Sequence, residues 1–393
     1  MSITIANRVR GIKTSPTVAL AANAKRLKAQ GVDVIDLTVG EPDFPTPQHI
    51  KDAAIAAINH DITKYTATDG TPNLKQAICS KFIRENNLHY DLTQIIVSVG
   101  AKYSLYSLLQ TILNKEDEVI IPAPYWVSYP DMVRLAEGQP VIVTTTVEQN
   151  FKITPQQLEQ AITPKTKAFI INSPSNPTGA IYTEQELNAL AEVLLPQPQI
   201  AIISDDIYEH IYWDQTPFRN IINICPKLYE RTFVINGVSK SYAMTGWRIG
   251  YTAGPTNVIA AMKTVLSQST SSANSIAQVA AETALRHDQS CIKKMVMEFK
   301  KRHDFVMLEL NKIFGFSTVA ACGAFYLFPD VSMAMQKFNC STDVEFAELL
   351  LNRTNVAAVH GSAFGIPNHL RISYATDMSH LDKALKRIRN FME

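Results

Sequence analysis

The sequence predicts an α/β fold, with a large domain wound around a mostly parallel sheet and a smaller α+β domain. Three observations carry this. Short runs rich in Ile and Val recur through the middle of the chain, at Ile95–Val99, Glu118–Ile121, Pro140–Thr144, Ala168–Ile171, Ile200–Ser204 and Thr232–Ile235. They show little polar alternation, which is how strands buried on both faces read. Between them lie stretches with helical spacing, among them Lys102–Leu113, Pro155–Ala161 and Thr183–Leu195. Strand–helix alternation of this kind builds a doubly wound sheet. The pattern then changes. Helical periodicity runs from about Ser275 to Phe314, with a break near His287–Ser290. After Gly323 come strand-like pieces at Ala324–Phe328, Val356–Ala358 and Leu370–Tyr374, with helices at Val344–Asn352 and His380–Met392. This end reads as the smaller domain.

Composition narrows the function classes. A chain of 393 residues, 46% of them hydrophobic, can bury the cores of about two domains. Lys plus Arg number 37 and Asp plus Glu 36, so a net charge of +1 gives no global pull toward nucleic acid or an anionic membrane. The five cysteines lack any Cys-x-x-Cys pair and the nine histidines lack His-Glu-x-x-His. Reduced thiols and no metal site are expected. Met1–Lys13 has no apolar segment of a signal peptide, and no run nears the ~20 apolar residues of a membrane span. The expected setting is cytoplasmic. A nicotinamide-binding sheet would need Gly-x-Gly-x-x-Gly after its first strand; the spacing of Gly246 and Gly250 does not supply it. No basic DNA-binding module precedes Asn7.

Ligands of open α/β sheets bind at the carboxyl ends of the strands. There the sequence places Gly100-Ala101-Lys102, Pro124-Tyr125-Trp126, Asn172 to Gly179, Asp205 to Tyr208, and Asn236 to Lys240. A lysine, an asparagine, an aspartate, a tryptophan and a tyrosine thus converge on one crevice. Lys240 among small residues suits a Schiff-base lysine, which needs a desolvated amine. Arg248, eight residues on, offers a fork suited to phosphate. Taken alone, Asp205 reads equally as a helix N-cap, Asn176 as a turn former, and Trp126 as core packing.

Ser239-Lys240 with Gly246 and Arg248 resembles the pyridoxal-phosphate lysine signature of class I aminotransferases. Gly40-Glu-Pro-Asp-Phe44, Asn176-Pro-Thr-Gly179, Asp205-Asp-Ile-Tyr208 and Arg371-Ile-Ser-Tyr374 match the same family in the same order. With Pro124-Tyr-Trp-Val-Ser-Tyr-Pro130, the pattern is most similar to the bacterial aspartate aminotransferase branch that includes prephenate aminotransferases. The resemblance implies fold type I, with a mostly parallel seven-stranded sheet in a large domain over 46–286 and a small domain from 1–45 and 287–393. It implies a homodimer with shared active sites and pyridoxal 5'-phosphate as cofactor. Lys240 would carry the cofactor and act as base. Asp205 would pair with the pyridine nitrogen, raising its pKa. Tyr208 and Asn176 would bind the phenolic oxygen, and Trp126 would stack on the ring. Gly100, Ala101, Ser239 and Arg248 would hold the phosphate, joined by Tyr65 from the neighbouring subunit. Arg371 would bind the substrate α-carboxylate, with Gly40 against the same substrate. Lys102 and Thr17 would hold an acidic side chain; the arginine that does so in other branches has no match in the Ser-rich segment 267–278. Ser175, Ala101 and Asp206 depart from the commoner residues at their positions. The expected reaction moves the amino group of L-aspartate to 2-oxoglutarate by ping-pong kinetics. Prephenate-directed transfer, or broader or aromatic specificity, stays open.

Overall fold

The computed structural model describes residues 3–12, 16–213 and 216–393, and at 16–19 and 21 the backbone alone. Thr17, expected near the substrate, therefore lies outside the residues whose side chains are described.

The strands, in chain order, are β1 (Ile35–Asp36), β2 (Ile95–Ser98), β3 (Glu118–Ala123), β4 (Gln139–Thr144), β5 (Thr166–Asn172), β6 (Ala201–Asp205), β7 (Thr232–Gly237), β8 (Gly250–Ala253), β9 (Tyr326–Leu327), β10 (Val356–Ala357), β11 (Val359–His360) and β12 (Leu370–Ser373). Seven of them form one sheet in the order β2-β8-β7-β6-β5-β3-β4. All pairs in it are parallel except those of β8, which runs against both β2 and β7. The six Ile/Val runs are all strands of this sheet. Successive residues go to opposite cores: Ile95, Val97, Phe169, Ile171, Ile202 and Val234 to one face, and Ile96, Ala168, Ile170, Ile203, Phe233 and Ile235 to the other. Burial on both faces is why these strands lack polar alternation.

Helices cover the two faces, and their starts follow capping chemistry. Thr154 and Thr183 each cap a helix (Pro155–Ala161 and Glu184–Leu194), and each donates its own backbone N–H in return to the side-chain oxygen of Gln157 or Glu186 three residues on. The long helical stretch divides where the sequence breaks, into Ser275–Arg286 and Ser290–Leu310.

The remaining strands lie in two small sheets. β1 pairs in parallel with β10, and β12 lies between β9 and β11. Ile35 and Leu37 share a core with Phe299, Tyr326, Phe346 and Ile372. The N-terminal segment therefore packs with the C-terminal one, a contact the sequence alone left open. Ile207 and Tyr208, from the turn after β6, enter this same core. That turn links the large sheet to the terminal elements.

Candidate active site

A cavity of about 660 Å³ opens where the carboxyl ends of β3, β5, β6 and β7 meet β12 and the Thr38–Glu41 segment. Lys240, Asp205, Tyr208, Asn176, Trp126 and Arg371 all line it. So do Gly40, Ala101, Lys102, Ser239 and Arg248. Tyr65 stands apart at 95% exposed and reaches no part of this chain's cavity.

Lys240 follows the end of β7, and its ammonium donates to the Gly40 carbonyl. The rings of Tyr208 and Phe325 lie 5.9 Å from Nζ. Burial brings its pKa down to about 8, with Arg371 and Arg248 adding to the fall and Glu41 opposing it. An amine in this range is partly neutral near physiological pH, as a nucleophile or base must be.

Asp205 ends β6 and is 4% exposed. Burial raises its carboxyl to about 6, although Tyr129 Oη donates to Oδ2 at 2.6 Å and the Ile207 N–H to Oδ1 at 3.3 Å. No helix starts here. The next residues form a turn, so the N-cap reading of Asp205 falls. A buried carboxylate with unmet charge suits a cationic partner. Asn172 ties the neighbouring loop to it, donating to the Asp205 carbonyl at 2.8 Å and accepting from the Asn176 N–H at 2.9 Å.

The helix Ala101–Ile112 begins at Gly100, whose φ is +93° and which no side chain caps. Its first N–H groups therefore face the cavity end with a positive helix terminus. Arg248, itself left-handed at φ +57°, packs so close that a Cβ on Gly100 would lie 2.4 Å from its Nη2. Its guanidinium donates to the carbonyls of Thr245 at 2.8 Å and Val99 at 3.3 Å. Gly250 of β8 is equally constrained, since a Cβ there would meet the Ala101 nitrogen at 2.1 Å. Backbone N–H groups, a guanidinium and the Ser239 hydroxyl are the donor set of a phosphate dianion.

Arg371 sits on β12 at 3% exposed. Nη1 donates to Asn176 Oδ1 at 3.1 Å and Nη2 to the Thr38 carbonyl at 2.6 Å, while buried Nε has no partner among the described residues. Tyr326 and Phe364 flank it, with ring centroids 4.5 and 5.1 Å from Cζ. A buried cation with donors to spare and no carboxylate partner is a site for an anionic ligand. Lys102, in the first turn of its helix, stands at the cavity with Nζ 5.1 Å from the Trp126 ring centroid. Partial burial and nearby Arg248 lower its pKa.

Four contributors escaped sequence reasoning: Tyr129, Tyr326, Glu41 and Thr245. Tyr326 Oη lies 2.9 Å from Tyr208 Oη, and Thr245 Oγ1 donates to Glu41 Oε2 at 2.6 Å. Tyr129 and Glu41 stood inside quoted motifs, but only their neighbours in space reveal what they do.

A family model described as aminotransferase class I and II matches residues 32–388. The chain belongs to this aminotransferase family. An aspartate/prephenate aminotransferase from Nitrosomonas europaea is 53% identical to it over 394 residues, covering 99% of each chain. An aspartate aminotransferase from Geobacillus stearothermophilus is 51% identical, again over 99% of each. Among solved structures, the aspartate aminotransferase from Rhizobium meliloti superposes with a TM-score of 0.95 at 44% identity, covering 99% of this chain and 98% of its own. The Thermus thermophilus enzyme with maleate gives 0.93 at 41%, covering 99% and 100%. The aminotransferase fold, fold type I, is thus present over the whole length, and the chain is an enzyme of the transaminase class.

Proposed function

We propose that this aminotransferase transfers the amino group of L-aspartate to 2-oxoglutarate with pyridoxal 5'-phosphate. The observation that carries the reading is the meeting of the Lys240 amine, the Asp205 carboxylate and the Arg371 guanidinium in one cavity. The donor set fits the cofactor. The helix start at Gly100-Ala101, Ser239 and Arg248 would hold its phosphate, Asp205 its pyridine nitrogen, Tyr208 and Asn176 its phenolic oxygen, and Trp126 a ring face. Tyr65, exposed here, would reach the phosphate of a second protomer in a homodimer. Pyridoxal phosphate supplies a carbonyl that condenses with amines and a ring that takes up the electron pair left by a departing α-proton. The protein does the rest. Arg371 holds the substrate α-carboxylate through charge-assisted bonds, with Gly40 admitting the substrate backbone closely. Lys240 Nζ, with its lowered pKa, takes the α-proton and returns it. Lys102 offers a cation for the distal carboxylate. Maleate, held by the Thermus relative, is itself a dicarboxylate, which supports an acidic substrate pocket.

A second acceptor, prephenate, is favoured by the name of the Nitrosomonas relative and suits the same two cations. The division into a large domain over 46–286 and a small one from both ends belongs to this proposal. So does a cytoplasmic setting; among the described residues, no helix is long and apolar enough to cross a membrane.

Absorbance spectra with cofactor, before and after aspartate, test the reading. Aspartate alone bleaches the visible band, and 2-oxoglutarate restores it. Lys240→Ala loses the band of the lysine-bound cofactor together with turnover. Full turnover in that variant, or an unchanged wild-type spectrum with aspartate, rejects the assignment.

A further inference from the structure

Behind the segment that carries Lys240 lies a chain of buried and half-buried polar groups which the chemistry above leaves unused. Ser241 follows Lys240 directly and is 1% exposed. Its Oγ lies 2.9 Å from His210 Nδ1, and His210 Nε2 lies 2.8 Å from Glu85 Oε2. Glu85 also accepts from Arg84 and has Lys81 Nζ at 3.7 Å. A second branch runs through Glu209, which accepts from Lys81, from Asn86 Nδ2 at 2.9 Å and from Asn236 Nδ2 at 2.6 Å. Asn236 and Ser241 thus bracket Lys240 on one segment. Glu209 and His210 follow Tyr208 on the other. Two cofactor-facing stretches are locked to each other from behind.

Two other uses of these groups fail on chemistry. An acid–imidazole–hydroxyl series can activate a nucleophile, but Ser241 is buried and lines no cavity that a substrate enters. Glu85, Glu209 and His210 are of metal-ligand type, yet the Lys81 ammonium already pairs with Glu209 and stands 3.7 Å from Glu85, a cation where a metal ion would have to sit. What remains is orientation. The Glu85 carboxylate is held at about 2, with burial opposed by the His210 bond and nearby cations, so it only accepts. His210 Nε2 therefore carries a proton. Nδ1 then accepts from the Ser241 hydroxyl. Lys81, Arg84, Glu85 and Glu209 are the charged groups around the ring, two of each sign.

We infer that His210, braced by Glu85, is a positioning residue for Lys240, holding Ser241 and thereby the direction in which the amine enters the cavity. The inference rests on Lys240 being the reacting amine. It is tested in the full chain with Ser241→Ala, His210→Ala, the double variant, and His210→Gln, whose amide keeps one acceptor and one donor. Two readings are taken: the single-turnover half-reaction with aspartate, and the pH dependence of Lys240 acetylation in cofactor-free protein, followed by mass spectrometry. Each alanine variant slows the half-reaction about 5–10-fold, the scale of one lost hydrogen bond, with KM for aspartate within about twofold. The midpoint of Lys240 labelling moves up by about one pH unit, as a freed amine regains water. The double variant is no slower than the slower single, and His210→Gln recovers most of the rate. Wild-type labelling and rate in Ser241→Ala overturn the inference, as does an additive double variant. Should His210→Ala not fold, Ser241→Ala decides alone. A wild-type protein that ignores aspartate rejects the Lys240 reading instead.

Discussion

Replacing Asp205 with asparagine should stabilise the cofactor-free protein, and only above mildly acid pH. Burial lifts the carboxyl from its ordinary 3.8 to about 6. The folded chain therefore holds this proton more tightly than the unfolded chain does. Wild type gains from that below about pH 4 and loses the gain as pH rises through about 6. The 4% exposed group is screened little by solvent, so the full shift corresponds to about 3 kcal/mol at pH 8. Roughly 1.4 kcal/mol of it develops between pH 5 and pH 8. Asparagine is isosteric, can still accept from Tyr129 while giving up the longer Ile207 bond, and carries no charge to bury. Asp205→Asn should thus gain on wild type steadily across that range. Urea denaturation of the cofactor-free proteins, at equal protomer concentration, reads the difference at each pH. In the proposed function a cationic pyridine nitrogen paired with Asp205 would relieve the same penalty, so the variant should gain less from added cofactor than wild type gains. A stability difference that is flat from pH 5 to 8, or a variant less stable at pH 8, refutes the reasoning.

Other substitutions separate the remaining roles. Arg371→Leu should lower kcat/KM for every amino donor by at least about 10²-fold, because all share the α-carboxylate; steady-state kinetics on aspartate and alanine together check this. Lys102→Met should raise KM for aspartate about tenfold while leaving alanine nearly unchanged, the modest size reflecting a side chain that is only partly desolvated. Equal losses for both donors would remove Lys102 from the side-chain pocket. Glu209→Ala leaves the Lys81 ammonium, whose side chain is 0% exposed, without its closest carboxylate. It should cost about 3–5 kcal/mol in denaturant unfolding.

What the sequence made legible follows from what a local pattern can encode. The strands buried on both faces announced themselves because such burial selects Ile and Val at consecutive positions, as in Ile95–Ser98 and Ala201–Asp205. β8 did not. Its residues are Gly-Tyr-Thr-Ala, and Gly250 is small because β8 runs against the start of the Ala101 helix, a contact between segments about 150 residues apart. Most of the cavity-lining residues were readable as motifs, many of them just past a strand end. Tyr129 and Tyr326 were not, since their importance lies in single hydroxyl contacts to Asp205 and Tyr208 across the fold. The network behind Lys240 was invisible for the same reason: Lys81, Glu85, Glu209 and Ser241 come from three separate segments, and nothing in their spacing joins them.

The pairing of β1 with β10 bears on how the protein is made. Ile35 finds its partner Val356 only after roughly 320 further residues have been joined. At about 5–20 residues per second, the ribosome takes roughly 15–60 s to supply them. Throughout that time Val34, Ile35 and Leu37, all buried in the finished molecule, wait without a sheet to join. The Gly40-Glu41 segment just beyond them waits too. The large sheet can close early from neighbouring strands, yet the cavity acquires its second wall last. A nascent chain of this design is therefore inert until β10 and β12 have been made, and the segment around Val34–Leu37 is where a chaperone has most to protect.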